Sequence, residues 1–395
     1  MRRGFIILIL LSLHWIPMQG QRILQGVKPL SDSAFASILT CGPGNEMYES
    51  FGHTAIRVCD STQGFDVVFN YGTFDFEEPH FYLRFARGML KYCVEAQHFY
   101  DFKFEYQYFG RAVWEQRLIL TKSELDKLFD ALRENAKPEN KFYKYDFFRD
   151  NCATRVRDMI ENALEGRSFL NDNYPQEETS YRDLLYKYTD STLMWWRLGL
   201  DLVLGTNCDR IMNKMQYMYV PVEMMVQYDT SLASDGQRLA EPAVQLLPEM
   251  RTPVKSAVSP TLCFWLLFII VLLLTFIARC NGWHLFWLDG ILFGSAFAVS
   301  LLMLFLWFCS DHWCAETNLN LLWANPLYIL LILRLRQYNP INSLILVSIL
   351  LLTLMGWALW PQHFNAAVLP ITLTLTTRLV DRLTDKNKYI IKNKN

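Results

Sequence analysis

Five apolar runs fill the last third of this chain, at about 262–278, 285–309, 319–333, 343–360 and 364–377, and they restrict its fold more than any other feature. They read as membrane helices, since a bilayer offers no water to the backbone and a helix satisfies its own polar groups. The charges between them alternate. Arg279, then Arg334 and Arg336, then Arg378, Arg382, Lys386 and Lys388 mark one side, whereas the loops SDHWCAETN and PQHFN contain neither Lys nor Arg. Positive charge gathers on the cytoplasmic side, so five spans follow an exported N-terminal part.

Residues 1–20, MRRGFIILILLSLHWIPMQG, have the form of a signal sequence: Arg2 and Arg3, an apolar run from Phe5 to Leu13, then Pro17 and Gly20. No Cys follows that run closely, so no lipid anchor on this chain is expected. The expected division is a signal sequence at 1–20, an extracytoplasmic domain at 21–255, a membrane domain at 256–380 and a basic cytoplasmic tail at 381–395. Composition fits this split, because 52% hydrophobic residues is high beside 19% charged ones, yet no long apolar run occurs between 28 and about 250. A net charge of −1, with no long basic run before the tail, argues against nucleic acid as the main partner.

The exported part mixes helix and strand signals and is expected to be α+β. FDVVFNYGTFDF, KYCVEAQHFYDFKFEY and AVWEQRLIL are aromatic-rich strand candidates of one sheet. TKSELDKLFDALRENAKP predicts a helix, with Thr121 and Glu124 as a capping box and Leu125, Leu128, Phe129 and Leu132 as its buried stripe. The stretch from about 181 to 205, with Trp195 and Trp196 adjacent, suits either a helix lying on the bilayer or one packed against the domain core.

The chemistry centres on FFRDNCATRVRDMIENALEG. Asn151 or Asp150 caps a helix whose stripe is Val156, Met159, Ile160, Ala163 and Leu164 and which ends at Gly166, so Cys152 sits on its first turn. Unpaired backbone N–H groups and the helix dipole favour a thiolate there. The competing reading is a small apolar filler, and a partner base decides between them. That base is read as His53, on the alternating strand SFGHTAIRV. If the next strand, DVVFNYG, pairs Val58 with Phe65, then Asn70 stands opposite His53 and can hold the imidazole tautomer that accepts the thiol proton. A one-residue slip would turn Asn70 away.

Other residues are weighed beside these. His80 and His98 are further bases, one in a loop and one in an aromatic strand. Arg155 and Arg157 raise thiolate character, bind a lipid phosphate or cover an exposed helix face. CGPGNE forms either an oxyanion or substrate loop or only a tight turn before His53. Polar residues of SDHWCAETNLNLLWANP, chiefly His312, Asn318 and Asn320, either bind substrate or line a solvated loop. Asp289 is expected to rest in the membrane interface. Cys41, Cys59, Cys93 and Cys208 could form disulfides in three ways. No His, Cys or Asp cluster has metal-ligand spacing, so no metal or other cofactor is expected.

His on a strand, a polar residue on the next and a distant Cys opening a helix resembles the permuted papain-like, NlpC-type enzymes, which include lecithin–retinol acyltransferase and phospholipid-dependent acyltransferases. More specifically, CGPGNEMYESFGHTAIRV, FNYGTFDF, YDFFRDNCATRVRD and the multispanning C-terminal half resemble the Lnb-type lipoprotein N-acyltransferases of Bacteroides-like bacteria. The likeness runs over nearly the whole chain after the first 30 or so residues. One departure is the third residue, a His in the lecithin–retinol group, where this hairpin offers Phe69 and Asn70. The resemblance implies a permuted papain-like periplasmic domain followed by an all-α membrane domain of about five helices in the bacterial inner membrane. It implies transfer of an acyl chain from membrane phospholipid to the N-terminal amine of lipidated lipoproteins, with Cys152, His53 and Asn70 catalytic. A membrane-anchored cell-wall peptidase or amidase, and a non-catalytic binding module, are the alternatives.

Overall fold

The computed structural model describes residues 23–167, 169–170, 178–189, 193–230, 232–251 and 258–384. The expected signal sequence at 1–20, the centre of the linker before the first span and residues 385–395 of the basic tail lie outside them. The chain divides into two compact units, one of residues up to 179 with 211–253, the other of 180–210 with the residues from 254 on. Residues 180–210, read from sequence with the exported domain, thus belong with the second unit.

The first unit is α+β. Its sheet is antiparallel, with strands β1 (Phe35–Cys41), β2 (His53–Asp60), β3 (Phe65–Thr73), β4 (Lys91–His98), β5 (Val113–Arg117), β6 (Phe142–Lys144) and, beyond a two-residue ladder of β7 (Phe169–Leu170) with β8 (Leu232–Ala233), β9 (Val244–Leu247). The order across it is β6-β4-β3-β2-β1-β5-β9. Alternation along the strands gives the sheet two apolar faces. Ile38, Ile56, Val58, Val67 and Phe69 face helices Lys122–Asn135 and Cys152–Ala163, whose Leu128, Leu132, Val156 and Ile160 complete one core. Leu39, Cys41, Ala55 and Val68 pack on the other face against Phe102 and Tyr106.

Two local expectations change. KYCVEAQHFYDFKFEY is a strand only to His98 and a helix over Phe99–Tyr108, because Phe102 and Tyr106 are buried four residues apart, a helical repeat. The β2–β3 hairpin pairs Val58 with Val67 and Asp60 with Phe65, two residues away from the expected register. The buried Asp60 carboxylate accepts from the Thr62 amide and hydroxyl and from Ser31, which organises the turn inside the expected loop. A slip of two preserves the face, so Asn70 stays on the side of His53. The capping box of Thr121 and Glu124 forms as expected.

Within the second unit, helices Tyr181–Tyr188 and Met194–Val203 flank a fully buried Arg182. Its guanidinium donates to Asp201 and Asp209 and to the carbonyls of Leu204 and Gly205. Two helices, Pro260–Asn281 and Phe286–Phe308, are long and apolar enough to cross a membrane. The apolar run 319–333 is divided between a 3₁₀ turn at Leu319–Leu322 and a short helix at Tyr328–Ile332, with Asn325 and Pro326 between them. Pro340–Met355 is a 16-residue apolar helix, and Val368–Thr384 continues past its apolar part into charged residues. Those charges are buried: Asp289 accepts from Arg378 at 2.7 Å and from Arg382 at 3.0 Å, so it forms an interior ion pair where an interfacial position was expected.

Candidate active site

Asn151 caps the helix Cys152–Ala163 by accepting from the Thr154 amide, while the Thr154 hydroxyl accepts from the Asn151 amide. Asn151 Nδ2 also donates to the carbonyls of Phe147 and Tyr219. The cap is thereby fixed from three directions, and with it the first residue of the helix, Cys152.

The β2–β3 ladder closes only from Ile56 and Phe69 onward, which leaves the start of β2 open toward β3. Cys152 occupies that opening. Its sulfur meets the backbone N–H of Thr54, the residue after His53, as well as the N–H groups of Ala153 and of Cys152 itself. On the other side stands Gly72, where β3 is irregular. Gly72 has φ +95°, and a Cβ there would lie 3.7 Å from Cys152 Cβ, 3.8 Å from Tyr145 and 3.9 Å from the Tyr143 hydroxyl. The glycine therefore permits the left-handed backbone, while a Cβ there would make only ordinary contacts beside Cys152.

His53 Nε2 lies 3.2 Å from Asn70 Oδ1. With that oxygen accepting, the imidazole carries its proton on Nε2 and leaves Nδ1 free to take one. Burial pushes the His53 pKa down to about 4, opposed by the Asn70 hydrogen bond, with Arg111 adding to the fall. Burial likewise pushes the Cys152 thiol up, against the backbone N–H groups and Arg111, which lower it. The thiolate expected from the helix start is thus outweighed by desolvation. Thiol and imidazole both rest neutral.

Arg111 has no signature in the sequence. It is buried, donates twice to the Gly42 carbonyl at 3.1 and 2.9 Å, and pairs with Glu49 at 2.7 Å. Arg251 donates to the Gly44 carbonyl in turn. The Gly42-Pro43-Gly44 loop before His53 is therefore pinned from two sides. Arg155 pairs with Asp150 at 2.7 Å, and its guanidinium lies 4.0 Å from the centre of the Tyr143 ring.

Aromatic rings lead outward from the thiol. Tyr145 stacks on Tyr92 at 4.2 Å, Tyr92 meets Phe74 at 5.1 Å, and Phe74 meets Phe76 and Phe81 at 4.8 and 5.9 Å. The series ends on the helix Phe81–Ala86, none of whose residues is buried; Tyr82 is 83% exposed and Phe85 54%. These rings form an exposed apolar surface.

The remaining candidates serve other contacts. Asn318 Nδ2 donates to the Leu202 carbonyl and Asn320 Nδ2 to that of Asp201, both within the second unit, and Asn320 Oδ1 accepts from Trp323. His312 precedes the 3₁₀ turn Trp313–Ala315 of the same loop. Cys41, Cys59, Cys93 and Cys208 are free thiols, so none of the three disulfide pairings is present; Cys41, Cys59 and Cys93 sit on separate strands and Cys208 belongs to the second unit. Among the described residues no group of three or more His, Cys, Asp or Glu side chains converges on a metal position.

Comparison with known proteins returned no curated protein and no solved structure that matches the chain. Two family models do match, the Lnb N-terminal periplasmic domain over residues 30–189 and the Lnb transmembrane domain over 252–388. Both halves, in this order, place the chain in the Lnb family of lipoprotein N-acyltransferases, with a periplasmic domain followed by a membrane domain.

Proposed function

We propose that the periplasmic unit is a permuted papain-like cysteine acyltransferase that takes an acyl chain from membrane phospholipid and gives it to the N-terminal amine of lipidated lipoproteins. The observation that carries this reading is Cys152 at a helix start with its sulfur at the N–H of Thr54, the residue that follows His53, whose imidazole lies 3.2 Å from Asn70. His53 Nδ1 takes the Cys152 proton as the sulfur attacks the ester carbonyl of the phospholipid. Backbone N–H groups at the start of the helix stabilise the oxyanion. The protonated imidazole then gives its proton to the departing lysophospholipid oxygen, and the acyl chain remains on sulfur as a thioester. The lipoprotein amine attacks that thioester and loses a proton to His53, which returns it to the Cys152 sulfur.

The aromatic series from Tyr145 to Phe85 supports a lipid donor, because it joins exposed apolar rings at the surface to Tyr145 beside Gly72 in one run of ring contacts. The five apolar runs fit a multi-pass inner-membrane protein whose third and fifth segments are short or broken.

The test is to incubate purified protein with phospholipid alone and weigh it intact. Gain of one acyl group, absent in Cys152→Ser and released by hydroxylamine, is the expected result. Transfer to lipoprotein with no acyl group ever found on Cys152 would sink the thioester route.

A further inference from the structure

Residues 180–210 leave the periplasmic unit at 179 and return to it at 211, and the helices among their described residues, Tyr181–Tyr188 and Met194–Val203, are too short to cross a bilayer. They therefore lie on the periplasmic side, and so does any loop that touches them. The loop following the helix Phe286–Phe308 does so closely. Gly205 N–H donates to the Cys314 carbonyl at 2.7 Å, Thr206 N–H to that of Thr317, and Asn207 Nδ2 to Trp313 and Glu316. A Cβ on Gly205 would come within 1.9 Å of the Glu316 carbonyl oxygen, so the approach requires glycine. At its centre the Cys208 sulfur lies 3.6 Å from the Cys314 carbonyl oxygen and in contact with the Cys314 thiol. Cys208 is fully buried, whereas Cys314 is half-buried.

We propose that Cys208 and Cys314 are the redox pair of this protein, joined as a disulfide in the periplasm by exchange with an external disulfide. Two cysteines 106 residues apart in sequence have been brought side by side in a compartment where disulfides persist. The more accessible Cys314 reacts first. Its thiolate displaces one thiol from the external disulfide and forms a mixed disulfide. The Cys208 sulfur then attacks Cys314 and expels the second thiol. Two protein thiols are oxidised and one external disulfide is reduced to two thiols. The bond closes a long loop and ties residues 180–210 to the loop 309–318. Neither Cys152 nor acyl transfer takes part.

The experiment uses the full chain in membranes, treated with N-ethylmaleimide before any reductant, then proteolysed and analysed by mass spectrometry. The expected result is a linked pair of peptides containing Cys208 and Cys314, lighter by two hydrogens than their sum and separated by reductant. Both cysteines recovered as maleimide adducts, or either joined to another cysteine, would overturn the proposal. As a second readout, reductant should lower the melting temperature of the wild type and leave that of Cys208→Ser/Cys314→Ser unchanged. An equal shift in both proteins would also overturn it. Because neither readout depends on catalysis, failure of the disulfide and failure of the acyltransferase reading are told apart.

Discussion

On the proposed mechanism Cys152 gives up its proton as it attacks, and burial holds that thiol above its ordinary range while holding His53 near 4. The resting pair is neutral, so proton transfer belongs to the reaction and not to the resting state. Cys152→Ser should fold and lose essentially all transfer, since a hydroxyl of similar size is scarcely ionised near neutral pH. His53→Ala should cost about 10²–10⁴-fold in rate, whereas Asn70→Ala should cost less, because it only orients the ring; steady-state kinetics on phospholipid decide this. A base with a pKa near 4 stays neutral at mild acidity, so kcat/KM should hold below the usual histidine value of 6.5 and fall only near 4. An acid limb near 6.5 would contradict a buried His53. Stability runs the same way: between 6.5 and about 4 the unfolded chain binds the proton that the folded one refuses, so stability falls as pH drops through that window. Melting curves of His53→Gln should lose part of that slope. The helix opening at Cys152 and the strand holding His53 were legible in the sequence because a cap and an alternating pattern are local signals. Arg111 was not, since a lone Arg before a strand shows no local pattern and gains its role only by packing on the Gly42 carbonyl.

The elements carry the site in ways that periodicity captures unevenly. The Thr121 capping box and the Asn151 cap were readable because both are local. The hairpin register was not, because the buried Asp60 carboxylate draws its bonds from Ser31, far away in sequence. Asn70 kept its face only because the slip was even. The apolar run 319–333 likewise read as one span, although Asn325 and Pro326 divide it and the Asn320 side chain binds the Asp201 carbonyl. The exposed helix Phe81–Ala86 makes a prediction at this scale. Replacing Tyr82 and Phe85 with Ser removes apolar surface without touching the core, so the fold should be unaffected and transfer from phospholipid vesicles should fall several-fold. Acylation of Cys152 by a short-chain soluble ester should remain. Equal loss on both donors would place these rings in folding and not in lipid capture. Gly205→Ala should instead destabilise the protein by at least about 1–3 kcal/mol, because the methyl group would meet the Glu316 carbonyl. A melting temperature unchanged by that substitution would deny the close approach.

For the molecule as a whole the question is why the proposed cysteine acyltransferase is fused to a membrane domain. A donor acyl chain must leave the bilayer to reach Cys152, and water exposure costs roughly 0.8 kcal/mol per CH₂. A chain of about sixteen carbons would add on the order of 10 kcal/mol to the barrier if it crossed open water, more than a single general base supplies. The reaction is therefore fast only if the chain never becomes exposed. Removing everything after residue 253 should leave the sheet and the Cys152 helix intact, since their cores lie in the first unit. It also strips residues 180–210 of Asn318, Asn320, Gln362 and Asn365, so this segment should become the first site of limited proteolysis. Such a fragment should still be acylated on Cys152 by a short water-soluble ester, because the thiol, His53 and Asn70 all remain. On vesicles it should be slower than the full chain by several orders of magnitude, since each turnover must extract a lipid unaided. If the fragment acylates lipoproteins in vesicles as fast as the intact protein, the membrane domain is an anchor alone and the alkyl chain reaches Cys152 by another route.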